Sequence, residues 1–345
     1  MYSKVEILKE KILSDIKTGR LLKDQPVPSR FQFMKRYSCS RGTIDKAISE
    51  LVNHGYLYCR QGAGTYVGET SESVPVKQVF LAGDYDLRSY ANAETANFAS
   101  EIQKNLPCFL YNISDVKINL NKIARPGNAV IWVRPPYEQL MVMKYLSNAG
   151  VPQLLIGRNY SSFDHIVSDA RAGIRKGLEW LVGNAGREVI FITPENNPDS
   201  PYIAERQIAF YELAVEMGLK RDEKRIYRMN FKDLKKDLNF LTGELFSGKK
   251  RMKAIFSTHI SAAFPLVSMA ESRGWYSGKD FFFLTFDYNS SLSGYKGIGM
   301  LEQLWNEMGE KSVQWLERKR KNKNEEFKIK ICPKLITWEN ENERS

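Results

Sequence analysis

The sequence predicts two architectures in one chain. An N-terminal winged helix-turn-helix (α+β) precedes a larger C-terminal α/β domain of two lobes built on parallel sheets. Three observations predict this. The first 70 residues hold three amphipathic segments and then two short strands around a glycine-rich turn. A polar, proline-containing stretch, GETSESVPVK, follows Val67. From Val76 onward, strands alternate with helices for about 270 residues. That alternation calls for parallel strands covered by helices on both faces, and its length suits two similar lobes better than one sheet.

In the small module, Val5, Ile7, Leu8, Ile12, Leu13 and Ile16 give the first helix, Lys4–Thr18, an apolar face at helical spacing. Gly19 stops it. Ser29 is placed to cap a second helix running to Tyr37, with Phe33, Met34 and Tyr37 facing inward. A third helix follows Ser40, with Ile44, Ala47, Ile48 and Leu51 on one face and NHG at its end. Strands Tyr56–Arg60 and Thr65–Val67 close the module around a turn that holds Gly62 and Gly64.

The domain boundaries expected are 1–68 for this module, 69–77 for a linker and 78–340 for the rest. Lobe 1 is expected at about 78–163 and 303–330, and lobe 2 at about 164–302 and 331–340. The expected strands are Val79–Ala82, Phe109–Ile113, Ala129–Val133, Gln153–Ile156, Val189–Thr193, Ala254–Ser257 and Phe281–Thr285. The expected helices are Ala93–Asn105, Tyr137–Asn148, Ala170–Val182, Tyr202–Met217, one near Leu234–Phe246, Ala262–Ser272 and Gln303–Lys319.

Composition narrows the function classes. Hydrophobic residues make up 43% and charged residues 26%, the balance of a soluble globular protein. No segment approaches the length of a membrane helix, and the N-terminus lacks an apolar signal core, so a cytoplasmic protein without membrane partners is expected. Cys39, Cys59, Cys108 and Cys332 match no metal-site spacing, and His54, His165 and His259 are the only histidines, so no metal is expected. No nucleophile elbow, Walker loop or dinucleotide fingerprint is present, so neither a catalytic residue nor a cofactor is expected. The net charge is +11, and residues 1–70 alone hold 12 Lys/Arg against 7 Asp/Glu. A basic balance favours a polyanionic partner. The second basic run, Arg318 to Lys323, reads as the solvated end of a helix.

The module's chemistry suits double-stranded DNA. The start of the second helix of such a motif enters the major groove. Ser40, Arg41, Gly42 and Thr43 stand there, with Lys46 one turn on. Arg41 can fork onto guanine, Gly42 lets the backbone approach, and a helix N-terminus attracts phosphate. Arg60, Gln61, Gly62, Ala63 and Gly64 give the wing a bare backbone suited to a minor groove. Lys4, Ser29 and Arg30 complete the candidate DNA-binding set with Ser40, Arg41, Gly42, Thr43, Lys46, Gln61, Gly62 and Gly64. The competing reading is a winged helix that contacts protein.

These residues resemble the DNA-binding domain of GntR-type transcription regulators. Pro28-Ser29, Ser40-Arg41, Thr43-Ile44, Ala47-Ile48, Leu51, Gly55 and the run Gly62 to Val67 match that family's pattern in order. Two positions depart from it. The usual arginine of the first motif helix falls on Phe31, with Arg30 one place earlier, and the usual arginine of the recognition helix falls on Asp45. Asp45 repels phosphate and is expected to matter less than Arg41.

The stretch His165–Thr193, HIVSDARAGIRKGLEWLVGNAGREVIFIT, resembles the central signature of LacI-type regulators and periplasmic sugar-binding proteins. The resemblance continues with Arg206 on an arginine-bearing helix, His259-Ile260 where Asn-Asp is usual, Asp287 on a Gly-Phe-Asp motif, and Gln303 with Met308-Gly309. It implies effector-binding residues at Asp169, Arg206, His259 and Asp287, and the strand ends Asp84-Tyr85 and Val133-Arg134 are expected to face them from the other lobe. Charged groups that pair with hydroxyls, beside aromatic faces, suit a sugar. Asp169, Arg206 and Asp287 are expected at strand ends, where ligands of open α/β sheets bind. Bland readings remain open beside these. Arg206 and Asp287 also read as a structural ion pair, His259 as a helix cap, and Tyr85 and Tyr90 as lobe-surface residues.

The combination resembles the arabinose-repressor type of architecture. It implies a homodimer on a pseudo-palindromic operator, with a monosaccharide closing the cleft and releasing DNA. Two rivals stay open: a nucleobase or phosphorylated sugar as effector, and a sugar-handling enzyme with an incidental basic domain.

Overall fold

The computed structural model describes every residue except 1–3, 54, 69–75, 85–97, 105–107, 161, 197–199, 221–224, 231–232, 322–324 and 342–345. Tyr85, Tyr90, most of the linker expected at 69–77 and the first part of the helix expected at 93–105 lie outside the described residues. The chain divides into two units: Met1–Ile166 with Asn306–Lys328, and Val167–Trp305 with Ile329–Ser345.

The small module opens the first unit. Helix α1 (Lys4–Lys17) buries Leu8, Ile12 and Ile16. Helix α2 (Arg30–Tyr37) begins with a capping box, in which Ser29 Oγ accepts from Gln32 N and the Gln32 side chain accepts from Ser29 N. It ends at Ser38, whose φ of 50° leaves the helical region. Helix α3 (Arg41–Asn53) buries Ile44, Ala47, Ile48 and Leu51. Strands β1 (Leu57–Arg60) and β2 (Gly64–Val67) pair antiparallel, with Leu57 opposite Val67 and Arg60 opposite Gly64. Their inward residues join those of the helices in one core around Phe33.

A polar tie locks α1 to α2. Asp15 is buried, accepts the Tyr37 hydroxyl at 2.6 Å, and pairs with Arg36 at 3.0 Å and Arg20 at 3.2 Å. Burial, and then the bond to Asp15, push the Tyr37 hydroxyl up to about 12.

The remaining strands are β3 (Gln78–Gly83), β4 (Cys108–Asn112), β5 (Asn128–Val133), β6 (Gln153–Ile156), β7 (Asp164–Ser168), β8 (Val189–Pro194), β9 (Ile226–Met229), β10 (Lys253–Ser257), β11 (Phe281–Phe286), β12 (Ile298–Glu302), β13 (Lys328–Ile331) and β14 (Lys334–Thr337). The remaining helices are α4 (98–104), α5 (Leu120–Ile123), α6 (Leu140–Asn148), α7 (Ala170–Ala185), α8 (Pro201–Glu216), α9 (Leu234–Leu245), α10 (Ala263–Ser272), α11 (Trp305–Arg320) and α12 (Trp338–Glu341).

One sheet has the order β13-β7-β6-β5-β3-β4, with every neighbour pair from β7 to β4 parallel. Its central strands β5 and β6 are buried on both faces, as a covered parallel sheet requires. The other sheet has the order β14-β12-β11-β10-β8-β9 and is parallel except for edge strand β14. Strand alternation divides its core. Ile190, Ile255, Phe283 and Met300 meet α9 and α10 on one face. Phe191, Phe256, Leu284 and Leu301 meet α7 and α8 on the other. Gly177 sits where an added Cβ would come within 2.6 Å of Leu284, so α7 lies close against the sheet.

Several expectations need correction. Strands β7, β9, β12, β13 and β14 and the short α5 were not foreseen. They are four or five residues long, and β9 and β14 are sheet edges. The equally short β6 and β10 were expected because each carries an unbroken apolar run, whereas Arg228 and Lys330 interrupt β9 and β13, which are held by pairing with their neighbours. The helix expected at 137–148 opens as a 3₁₀ turn, Tyr137–Gln139, before α6. The helix expected from Gln303 begins at Trp305, which leaves Gln303 in the segment between β12 and α11.

Candidate nucleic-acid interface and effector site

On the small module, the start of α3 presents polar and cationic groups outward. Ser40 Oγ accepts from Thr43 N at 3.3 Å and shares a hydrogen bond with Thr43 Oγ1 at 2.8 Å, which fixes the first turn. Arg41 has a side chain 78% exposed, and Lys46 is exposed on the next turn. A Cβ built on Gly42 would meet nothing within 4 Å, so packing inside the protein does not require glycine there. Ser29 is exposed, but its hydroxyl is committed to the capping box. Lys4 is exposed in the first turn of α1.

Arg30 is more constrained. It donates from Nε to Asp45 at 3.3 Å and from Nη1 to Thr65 Oγ1 at 2.9 Å. Arg41 Nε lies 3.8 Å from the other oxygen of Asp45. Phe31, where the arginine was expected, is 75% exposed.

The wing has exposed Gln61, Gly62, Ala63 and Gly64 at its tip. Gly62 and Gly64 have φ of 76° and 113°, a region that disfavours other residues. Arg60 lies over the rings of Tyr66 at 4.8 Å and Tyr58 at 5.4 Å, and those rings stack on each other. Arg60 Nη2 also donates to the Tyr58 hydroxyl at 3.0 Å. The cation at the base of the wing is therefore held in place by aromatic faces.

In the second unit, Arg206 is buried at 5% exposure. It donates to Asp287 through Nη1 at 3.0 Å and Nη2 at 3.3 Å, and to the Thr258 carbonyl at 2.8 Å. Its guanidinium lies 3.6 Å from the Phe286 ring centroid and 4.8 Å from that of Tyr202. Asp287 follows β11 with φ 75° and also accepts from Gln303 Nε2. Gln303 Oε1 in turn accepts from Ser168 Oγ at 2.7 Å. Asp287 and Gln303 thus stand just past the carboxyl ends of the neighbouring strands β11 and β12, the kind of edge where open α/β sheets bind ligands.

Arg206 lies on the helix expected at 202–217 and pairs with Asp287, as the ion-pair reading had it. It lies inside α8, which Pro201 starts, and not at a strand end. Asp169 follows β7 directly, but its carboxylate caps α7 by accepting from Ala172 N at 2.9 Å. No described hydrogen bond joins Asp169 to Arg206 or Asp287. His259 Nδ1 bonds Ser261, and so caps the short 3₁₀ turn Ile260–Ala262. Its ring lies 6.3 Å from that of Tyr202, which stands over Arg206. Gln303 belongs to this cluster and was not among the candidates. Its place in a recognised motif was the signal that could have found it.

In the first unit, Asp84 and Arg134 follow the parallel neighbours β3 and β5, at the same carboxyl edge of their sheet. Asp84 is exposed, and Arg134 has φ 49°.

Residues 4–67 match the family model of bacterial regulatory proteins, gntR family. The N-terminal module is a GntR-family domain. The arabinose metabolism transcriptional repressor of Halalkalibacterium halodurans is 40% identical over 72 residues, 21% of this chain and 19% of that protein. The repressor of the same name from Geobacillus stearothermophilus is 34% identical over 149 residues, 43% of this chain and 40% of that protein. The chain thus spans less than half the length of these relatives. A regulatory protein of the LacI family from Chloroflexus aggregans superposes with a TM-score of 0.63 at 18% identity. That match covers 75% of this chain and 96% of the other, so the larger part of the chain shares that protein's fold. Among the described residues, no helix is long and apolar enough to cross a membrane.

Proposed function

We propose that this chain is a cytoplasmic one-component transcription repressor that binds operator DNA through its GntR-family module and releases it on binding a monosaccharide. The carrying observation is the pairing of two surfaces in one chain. Exposed Arg41 opens α3 beside a wing of left-handed glycines, and the buried Arg206 orients Asp287 beside Gln303 at a strand edge. The first surface offers a guanine-reading cation. Residues 1–68 form the DNA-binding domain on this reading, and 78–340 the two-lobed effector domain.

The second surface offers an oriented carboxylate, an amide and aromatic faces, a set that recognises vicinal hydroxyls. Asp287, Gln303 and Arg206 form the centre of this site, with Asp169 and His259 of the same unit as further contacts. The names of the relatives make arabinose the first effector to try. Helix-turn-helix dimers bind two half-sites about one helical turn apart, so a homodimer on a pseudo-palindrome fits the reading. Regulation, and not turnover, is the proposed role.

A thermal-shift screen of monosaccharides, arabinose first, tests the effector part. A sugar present at 100 times its Kd stabilises the protein by about 2.7 kcal/mol. A panel in which no monosaccharide raises the melting temperature contradicts it.

A further inference from the structure

Asp45 stands where it meets both arginines of the α3 surface. It lies one turn after Arg41 on the same helix face, so the two side chains are neighbours. Its Oδ1 accepts from Arg30 Nε at 3.3 Å, and its Oδ2 lies 3.8 Å from Arg41 Nε. Arg30 is also fixed by Thr65 of the wing strand, at 2.9 Å. Asp45 is therefore the point where α2, α3 and the hairpin are tied on their outer side. Its side chain is 50% exposed, so the pairing is not a core device.

We propose that Asp45 is a specificity-determining residue of this surface. Its charge faces the Nε edge of Arg41 at 3.8 Å, which leaves the two terminal nitrogens to meet the O6 and N7 of a guanine end-on. Among the described residues, those nitrogens have no hydrogen-bonded protein partner. A carboxylate offers about four acceptor positions; Arg30 uses one on Oδ1, and Arg41 pairs with Oδ2 by charge alone. The outward positions accept from the exocyclic amine of a cytosine next to that guanine, the base whose major-groove edge donates to a carboxylate. The same charge repels phosphate, so Asp45 lowers affinity for every sequence and restores it at the right one. This inference rests on the DNA-binding reading above.

The test is selection of bound sites from a randomised duplex pool, with the full chain and its Asp45→Ala and Asp45→Asn variants. Salt-dependent affinity is then measured on the selected site and on random duplex. The parent enriches a site with guanine beside cytosine. Asp45→Ala loses the cytosine preference, binds random duplex more tightly, and lowers the ratio of specific to random affinity roughly tenfold or more. Its log–log salt slope on random duplex steepens by up to about one. Asp45→Asn shifts the same position toward adenine, whose N6 and N7 pair with an amide. If both variants keep the parent's base preference and affinity ratio, the proposal is overturned while DNA binding stands. If the parent enriches no sequence, the DNA-binding reading fails and this inference fails with it.

Discussion

Arg41 has an exposed guanidinium at the start of α3, so truncating it leaves the core untouched. Arg41→Ala is expected to cost about 1–3 kcal/mol at the operator and to relax sequence preference at one position. A gel-shift titration checks this, and unchanged affinity removes Arg41 from the reading surface. Gly64 makes a different argument. A Cβ there would meet nothing within 4 Å, so its φ of 113° is the constraint and not crowding. Gly64→Val distorts the wing tip alone, because a β-branched residue avoids that backbone region. Operator binding is expected to weaken while sugar binding persists, as read by calorimetry with each ligand. Loss of both together makes the wing merely structural. At this scale the sequence was legible where a motif fixes position, as at Ser29, Ser40 and Arg41. It was not legible where a contact depends on distant chain. Nothing local tells that Gln303 bridges Ser168 to Asp287, whereas the Arg206–Asp287 pair was among the readings because both residues sit on motif positions.

The elements of the small module depend on polar ties that single substitutions can cut. Ser29→Ala removes one arm of the capping box on α2 and is expected to cost about 1 kcal/mol. Faster hydrogen exchange at the first amides of α2 is the measurement. The Tyr37–Asp15 tie gives a pH dependence with a definite sign. The Tyr37 hydroxyl ordinarily titrates near 10.0 and is raised to about 12 here, so the fold favours the protonated phenol. Its contribution is complete below the unfolded pKa and is lost as pH rises through the folded one. Circular dichroism is expected to show stability falling between about pH 10 and 12 in the parent, and falling less steeply in Tyr37→Phe. A parallel decline in both proteins contradicts the tie. Element prediction worked for long periodic segments such as α1 and α7 and for apolar strands such as β6. It failed for β12, β13 and β14. The sequence Lys-Ile-Lys-Ile of β13 offers only two apolar residues, and its place beside β7 is what makes it a strand.

For the whole molecule, the claim is coupling between two sites on one chain. If sugar lowers operator affinity, operator lowers sugar affinity by the same factor, because the coupling free energy is shared. Arg206 is the residue through which to break sugar recognition while sparing the module. Removing its guanidinium leaves Asp287 without its buried partner, and a charged hydrogen bond of this kind is worth about 1.5–3 kcal/mol. Sugar affinity is expected to fall roughly tenfold or more in Arg206→Ala, while operator binding is retained. Thermal melting of the variant separates lost recognition from an unfolded second unit.

The most direct test is a calorimetric titration of the parent protein with arabinose, or with whichever monosaccharide stabilises it, in the presence and absence of saturating operator duplex. A weaker sugar Kd is expected when operator is bound. Equal sugar affinity in the two titrations contradicts it.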